Sequence, residues 1–170
     1  MAKRNRKYDA KKLEWLRDSK KFILFLVVAV IIFRVLIGIS RVDGLSMYPT
    51  LKDGQAIVYS RLSKNYEVGD IVSVKMPGGQ YYIKRVVAVG GDTVDIKDGL
   101  LYVNGKAQTQ YGYGETEAQS ALVHYPLTVQ EGHIFAVGDN RPVSIDSRTF
   151  GEMAISQTRG KIFFYLNRNG

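Results

Sequence analysis

A serine and a lysine in this sequence could form a nucleophile and its base. Ser46 lies in the segment 44–51, and Lys84 lies in a β-type run, residues 81–87, whose members are mostly uncharged. A serine hydroxyl becomes a nucleophile near neutral pH only when a base takes its proton, and lysine serves as that base only when neutral. Burial among apolar groups lowers the pKa of a lysine, because desolvation disfavours the ammonium form. The pair could therefore attack carbonyl groups.

Side-chain alternation along a strand gives this lysine an uncharged setting. It places Lys84 on one face together with Tyr82, Val86 and Ala88. Without further context, a solvated strand lysine is the plainer interpretation, and Ser46 fits a turn or helix cap equally well.

Other catalytic arrangements are poorly supported by the composition. His124 or His133 could serve as the base in a serine–histidine pair, and an aspartic dyad of Asp139 and Asp146 would require two converging carboxylates. The absence of cysteine excludes a thiol nucleophile, a thiolate zinc site and disulfides, and two histidines are too few for a histidine-rich metal site. The sequence indicates neither a metal nor a cofactor.

The basic charge of the chain is confined to its N-terminus. The net charge is +8, but residues 1–21 hold nine Lys or Arg against three Asp or Glu, while residues 41–170 hold fourteen against thirteen. A nearly neutral body argues against a nucleic-acid-binding surface. The tyrosine-containing segment 108–120 has no Lys or Arg, so we expect a mobile surface loop there and no nucleic-acid stacking platform.

Residues 22–39 form the longest apolar stretch, interrupted only by Arg34. Its length approaches the roughly 20 residues that cross a bilayer as a helix, and Arg34 lies near one end, where its side chain can reach the headgroups. Preceding basic residues predict a cytoplasmic N-terminus. We therefore expect a cytoplasmic arm over residues 1–21, a single-pass transmembrane helix in contact with membrane lipids over 22–39, and the rest of the chain on the outer face of the cell membrane.

Two other interpretations of the apolar stretch stay open. A cleaved signal peptide is one, because residues 38–40 place small side chains at a suitable spacing; the long basic region and the long apolar run disfavour it. A buried or interfacial helix is the other.

Beyond residue 50 the apolar residues occur in short runs rich in Val, Ile and Tyr. The runs lie at 56–59, 71–74, 81–89, 93–96, 101–103, 133–137 and 161–166, and turn residues separate them, as at 52–54, 77–79 and 90–92. No stretch there keeps a helical period over twelve positions. The sequence predicts a mainly β domain over residues 41–170, built from short antiparallel strands.

Three segments resemble, in the right order, the motifs of type I signal peptidases. Residues 42–51 resemble the nucleophile motif, residues 69–72 with 82–92 the lysine strand, and residues 138–151 the C-terminal signature. The resemblance implies that Ser46 is the nucleophile and Lys84 the base of a Ser–Lys dyad. It also implies a signal-peptidase-like β fold behind the membrane anchor.

The resemblance implies supporting roles as well. Ser144 matches a serine that hydrogen-bonds the lysine amine, and Asp146 and Arg148 match a salt bridge that holds the site in shape. The backbone N–H of Ser46 is expected to be one oxyanion-hole donor. Some members of the family have a serine as second donor where this chain has Gly44.

The predicted function is a membrane-bound serine endopeptidase that removes signal peptides from exported preproteins. The resemblance implies an acyl-enzyme mechanism and cleavage after small-x-small sequences, with the peptide docked as an added strand. The alternative from another class is a non-catalytic, membrane-anchored assembly factor with a peptidase-like body, which would need neither the serine nor the lysine. A self-cleaving regulator with the same chemistry would normally carry a DNA-binding domain, which the N-terminal segment does not resemble.

Overall fold

The structure is a computed structural model that describes residues 2–76 and 78–166. Met1, Pro77 and residues 167–170 lie outside the described residues. They belong to the predicted arm, to the predicted turn at 77–79 and to the end of the predicted catalytic domain. The chain divides into two compact units, Met1–Ile37 and Gly38–Gly170.

The first unit consists almost entirely of helix α1, Ala2–Leu36. The apolar side chains in its second half are mostly exposed, including Phe22 at 62% and Phe33 at 54%. Within the described part of the chain, no helix combines the length and the apolar character needed to cross a membrane.

The predicted transmembrane helix over residues 22–39 differs from the structure at its C-terminal end. Helix α1 ends at Leu36, and residues 37–39 belong to strand β1, Ile37–Arg41. β-Branched isoleucines favour extended backbone here, and glycine is a poor helix residue. Gly38 also lies directly against the ring of Tyr59, where a larger side chain would collide.

Ten further strands follow, with short helical turns between the last of them. The strands are β2 Ala56–Ser60, β3 Ile71–Lys75, β4 Tyr81–Val89, β5 Thr93–Lys97, β6 Leu100–Val103, β7 Lys106–Ala107, β8 Leu127–Thr128, β9 His133–Val137, β10 Met153–Ala154 and β11 Thr158–Tyr165. The helical turns are the 3₁₀ segments Arg141–Val143 and Ile155–Gln157 and the four-residue helix α2, Ser147–Phe150.

The strands form two sheets. One has seven strands in the order β1-β2-β11-β3-β4-β9-β10, and the other has four in the order β7-β6-β5-β8. The pairings from β2 to β10 and those within the second sheet are antiparallel. The prediction of a mainly β fold with antiparallel strands is therefore confirmed.

Strand β4 lies inside the large sheet and supplies the lysine of the predicted dyad. Its residues 81–85 pair with β3, but its pairing with β9 begins only at Arg85. Residues 81–84 therefore have a paired strand on one side only, within the described chain. This leaves a free strand edge beside Lys84.

A β-bulge in β4 changes the predicted faces of that strand. The register against β9 shifts between Val86 and Ala88. Val86 packs in one core cluster with Tyr82, whereas Val87 and Ala88 both pack in a second cluster. The extra residue breaks the alternation, so Ala88 does not share the face of Lys84 as predicted.

Candidate active site

The segment that carries Ser46 is a turn-rich loop between β1 and β2. The N–H of Tyr48 donates to the Leu45 carbonyl at 3.1 Å, and the N–H of Leu51 donates to the Met47 carbonyl at 2.9 Å. Met47 and Leu51 are only 1% and 0% exposed and pack in a third core cluster. Ser46 itself is half-buried. The core thus fixes the loop while leaving the serine side chain at its surface.

Lys84 reaches this loop from strand β4. Its Nζ donates a hydrogen bond to Ser46 Oγ at 2.9 Å, although the lysine is only 2% exposed. The ring centroid of Tyr82 lies 5.3 Å from the same nitrogen. Among the described residues, no carboxylate forms an ion pair with Lys84.

The electrostatic setting favours the neutral amine. Burial lowers the pKa of Lys84 from 10.5 to about 8; the charge of Asp146 and, more weakly, that of Asp139 oppose the shift, and repulsion from Arg148 adds to it. The largest effect is desolvation, because removing an ammonium group from water disfavours its charged form. A lysine with such a pKa has the properties of a general base near neutral pH.

The C-terminal signature contains a fully buried ion pair. Arg148 Nε and Nη2 donate to the two carboxylate oxygens of Asp146, both at 2.9 Å, and Nη2 also bonds the carbonyls of Arg141 and Ser144. The Gly138 N–H donates to Asp146 at 3.0 Å. Burial opposes the ionisation of Asp146, but these hydrogen bonds and the charge of Arg148 outweigh it and lower the pKa of that carboxyl. The pair ties residues 138–148 together.

Ser144 lies in the same buried region, but its hydroxyl makes no hydrogen bond within the described structure. The bond to Lys84 that the family pattern implies is therefore absent from this geometry. Ser144 Oγ lies close enough to Asp146 to favour the ionised carboxylate, yet falls short of hydrogen-bond geometry. A side chain on Gly138 would collide with Ser144 Oγ and with the Ser46 carbonyl oxygen. Gly138 thus permits the close approach of the two serine segments.

A second buried ion pair, which the sequence analysis missed, joins β4 to the C-terminal signature. Arg85 donates to both oxygens of Asp139 at 2.7 and 2.6 Å, and Thr50 Oγ1 donates to Asp139 at 2.6 Å. Arg85 also bonds the Gly69 carbonyl at 2.8 Å and lies 4.3 Å from the ring centroid of Tyr111. The sequence did contain an indication of this pair. Arg85 lies inside a mostly apolar strand, and a buried arginine requires a buried partner.

Asn140 fixes the nucleophile loop directly. Its backbone N–H donates to the Ser46 carbonyl at 2.9 Å, and its side-chain amide donates to the Leu45 carbonyl at 3.1 Å. The sequence suggested only a turn at this position. Both carbonyls point toward residue 140, so the peptide units around Ser46 are held in one orientation.

The remaining candidates lie apart from this pair. His124 is exposed, and neither it nor His133 lines the cleft described below. Asp139 and Asp146 are each paired with their own arginine, so they do not form a dyad. In the part of the chain that the structure describes, no cluster of three His, Asp or Glu side chains could hold a metal.

The dyad opens into a cleft of about 730 Å³. Its walls are the loop 40–47, the free edge at 80–84, and two exposed apolar side chains, Val143 and Ile145. The Ser46 N–H makes no hydrogen bond among the described residues, whereas the Gly44 N–H is occupied by Asp53 Oδ1 at 2.8 Å. The serine amide is therefore free to stabilise an oxyanion, and the glycine amide is not.

A serine hydroxyl 2.9 Å from a buried lysine with a lowered pKa, beside an open cleft, is an arrangement that suits a serine hydrolase. A protein-family model described as signal peptidase, peptidase S26, matches residues 13–166. The signal peptidase I of Bacillus licheniformis is 34% identical over 91% of this chain and 89% of its own, and signal peptidase I T of Bacillus subtilis is 34% identical over 91% and 86%. A crystal structure of a signal peptidase I from Enterococcus faecalis, 30% identical, matches 58% of this chain and 97% of its own with a TM-score of 0.46.

The chain therefore belongs to the signal peptidase family, peptidase S26. The predicted family and the predicted class of enzyme, a serine endopeptidase, are confirmed.

Proposed function

We propose that this chain removes signal peptides from exported preproteins with Ser46 as nucleophile and Lys84 as base. The observation that carries the proposal is the 2.9 Å contact between Lys84 Nζ and Ser46 Oγ. Family membership supports the reaction class, and the contact selects the two atoms that would perform it.

The lowered pKa makes Lys84 usable as a base. With a pKa of about 8, roughly a tenth of the lysine side chains are neutral at pH 7, compared with roughly 0.03% at the ordinary value. The neutral Nζ takes the Ser46 proton while Oγ attacks the scissile carbonyl. The protonated lysine then gives that proton to the leaving amine, and an acyl-enzyme remains.

Deacylation reverses the roles of the same atoms. Lys84, neutral again, takes a proton from a water molecule, the resulting hydroxide attacks the ester carbonyl, and Ser46 Oγ leaves with the proton. In both steps negative charge develops on the carbonyl oxygen, and the free Ser46 N–H supplies a hydrogen bond to it.

The substrate would bind in extended form along residues 81–84. That segment has a paired strand on one side only and lines the cleft, so an incoming peptide can add as a further strand. Alternate side chains of such a peptide point into the cleft floor. The apolar part of the cleft wall, which includes Leu45, Val143 and Ile145, suits the small-x-small sequence that the family resemblance implies.

The chain is further proposed to be anchored in the cell membrane by the apolar part of helix α1, residues 22–36, with its N-terminus in the cytoplasm and its catalytic domain on the outer face. The support comes from the unbroken apolar run over 22–33 and from the nine basic residues before it. Extraction of membranes with alkaline carbonate tests the anchor. We expect the full-length chain to stay in the membrane pellet, and its release would contradict the anchor.

Cleavage of a purified preprotein tests the proposed chemistry. The full chain in detergent micelles should generate a new N-terminus directly after a small-x-small sequence. Ser46→Ala and Lys84→Ala should each reduce turnover by at least about a thousandfold. Ser63→Ala and Lys75→Ala are the matched controls, because both residues lie outside the cleft.

The folded state of each variant is checked by circular dichroism. Loss of turnover in Ser46→Ala and Lys84→Ala with an intact fold supports the dyad. Substantial turnover by folded Lys84→Ala would contradict its role as base, and no cleavage of any preprotein by the unaltered chain would favour the assembly-factor alternative.

A further inference from the structure

Val143 and Ile145 form an apolar wall of the cleft at Ser46. Both side chains line the cleft and are exposed, whereas Ser144 between them is fully buried. The backbone at Ser144 is extended, with φ −87° and ψ 128°, so the side chains before and after it project to the opposite side. The position of the Ser144 peptide unit therefore sets the position of this apolar wall, residues 143–145.

The Ser144 carbonyl attaches the apolar wall to the rest of the domain. No backbone N–H among the described residues donates to it, but two side chains do, Gln119 Nε2 at 2.7 Å and Arg148 Nη2 at 3.0 Å. Arg148 Nη2 also donates to the Arg141 carbonyl and to Asp146, so its two hydrogens serve three acceptors. Gln119 is therefore the closer donor and the one whose hydrogen bond is not shared with another acceptor.

Thr149 fixes the orientation of the Gln119 amide. Its Oγ1 donates to Gln119 Oε1 at 2.7 Å, and Thr149 lies on helix α2, directly after Arg148. The reversed amide would place its oxygen against the Ser144 carbonyl oxygen, and neither atom has a hydrogen to donate. A side chain from the loop between β7 and β8 thus bridges α2 and the apolar wall in a single orientation.

Gln119 itself is exposed and does not line the cleft. Truncation of an exposed side chain leaves no buried cavity, so we expect only a small effect on the stability of the domain. The effect should instead appear where the bonded carbonyl lies, which is at the apolar wall.

We propose that Gln119 is a positioning residue that sets the preference of the cleft for small side chains. This inference rests on the proposed function, in which the cleft binds the small-x-small part of a signal peptide. With Gln119 in place, the apolar wall is held at a fixed distance from the other walls of the cleft and excludes larger side chains. Without it, the Ser144 carbonyl keeps only the shared bond from Arg148, and the wall can move outward.

Peptide binding to the Ser46→Ala variant tests the proposal without depending on cleavage. Three peptides are titrated by calorimetry into the full chain in detergent micelles: one has alanine at both small positions, and the others have leucine at the first or at the second of them. Ser46→Ala alone should bind the alanine peptide most tightly. Adding Gln119→Ala should weaken the alanine peptide by about three- to tenfold and should reduce the discrimination against leucine by at least about threefold at one of the positions.

Two further variants in the same Ser46→Ala chain isolate the hydrogen bond. Gln119→Glu keeps the length of the side chain and the acceptor for Thr149 but cannot donate to the Ser144 carbonyl, so it should act like Gln119→Ala. Gln110→Ala is the matched control. Gln110 is an exposed glutamine of the same loop, outside the cleft, and its side chain makes no hydrogen bond in the described structure. It should leave all three affinities unchanged.

An equal loss of affinity for all three peptides in the Gln119 variants would mean that Gln119 only supports the fold, and would overturn the proposal. Unchanged affinities in both Gln119 variants would overturn it as well. If the alanine peptide does not bind to Ser46→Ala, the cleft has no preference for Gln119 to set, and the proposal also fails. The proposed function is tested separately, because it fails when the unaltered chain cleaves no preprotein, whereas the affinities are measured whatever that result.

Discussion

Lys84 and Arg148 are both buried cations of the same site, 2% and 1% exposed, but the structure surrounds them differently. Arg148 forms a bidentate ion pair with Asp146, whereas Lys84 bonds a neutral hydroxyl and has no ion pair among the described residues. An arginine can be buried in its charged form when a carboxylate offsets the loss of hydration. An ammonium that is buried without such a partner is destabilised, so the pKa of its lysine falls. Ion pairs thus hold the site together, whereas Lys84, the proposed base, is buried without one.

Breaking the buried ion pair between Arg148 and Asp146 should have the largest effect on stability. Arg148→Met leaves the Asp146 carboxylate buried and without its cation, which should lower the free energy of unfolding by about 3–5 kcal/mol. Urea denaturation of the full chain in micelles measures this loss. The control is Lys97→Met, which breaks the exposed 3.4 Å pair with Asp95 and should cost less than about 1 kcal/mol. An equal loss of unfolding free energy in the two variants would contradict the distinction between buried and exposed ion pairs.

Removing the unpaired cation should have the opposite sign. The pKa of Lys84 is about 8 in the folded chain against an ordinary value of 10.5, so between these limits the unfolded chain binds the proton more tightly and wild-type stability rises with pH. Lys84→Met has no such proton. The variant should therefore be inactive but more stable by up to about 3 kcal/mol below pH 8, and the difference should disappear above about pH 10.5.

Chemical denaturation across this pH range measures the effect. Lys75→Met, at an exposed position on β3, should stay within about 0.5 kcal/mol of wild type at every pH. A Lys84→Met variant that is less stable than wild type at pH 7 would show that the buried amine contributes net stability, contrary to the comparison.

A side chain at position 138 should disturb the contact between the C-terminal signature and the loop that carries Ser46. Its Cβ would collide with Ser144 Oγ and the Ser46 carbonyl, so Gly138→Ala should lower the free energy of unfolding by about 1–3 kcal/mol. Displacement of Ser46 should also reduce kcat/KM by at least about tenfold. Preprotein cleavage and urea denaturation of one sample measure both effects, and unchanged kcat/KM would show that the nucleophile tolerates the shift.

The smallest effect is expected at Ser144. Its hydroxyl has no hydrogen bond in the described structure, so Ser144→Ala should change the free energy of unfolding by less than about 1 kcal/mol. The packing beside Gly138 should still position the site, and the variant should reduce kcat by less than about tenfold. An unchanged kcat would remove Ser144 from the site.

Local sequence patterns predicted the family, the antiparallel β fold and the residues that meet at the cleft. Ser46 and Lys84 could be paired in advance because both occur in recognisable motifs. The Arg85–Asp139 pair could not, because its members are 54 positions apart and nothing local specifies which carboxylate an arginine will meet. The bulge after Val86 and the end of α1 at Leu36 also depend on packing partners distant in sequence. The lack of a carboxylate partner for Arg141 among the described residues likewise becomes visible only in the folded structure, where Arg85 and Arg148 take the two buried aspartates.

The pH dependence of kcat/KM for preprotein cleavage tests the central claim most directly, because it reports the ionisation of the base in the free enzyme. If neutral Lys84 activates Ser46, kcat/KM should rise tenfold per pH unit and level off above an apparent pKa of about 8. A rise that continues to about pH 10 would mean that the lysine is not perturbed by burial, and would contradict the account. The absence of any rise between pH 6 and pH 9 would contradict a lysine base altogether.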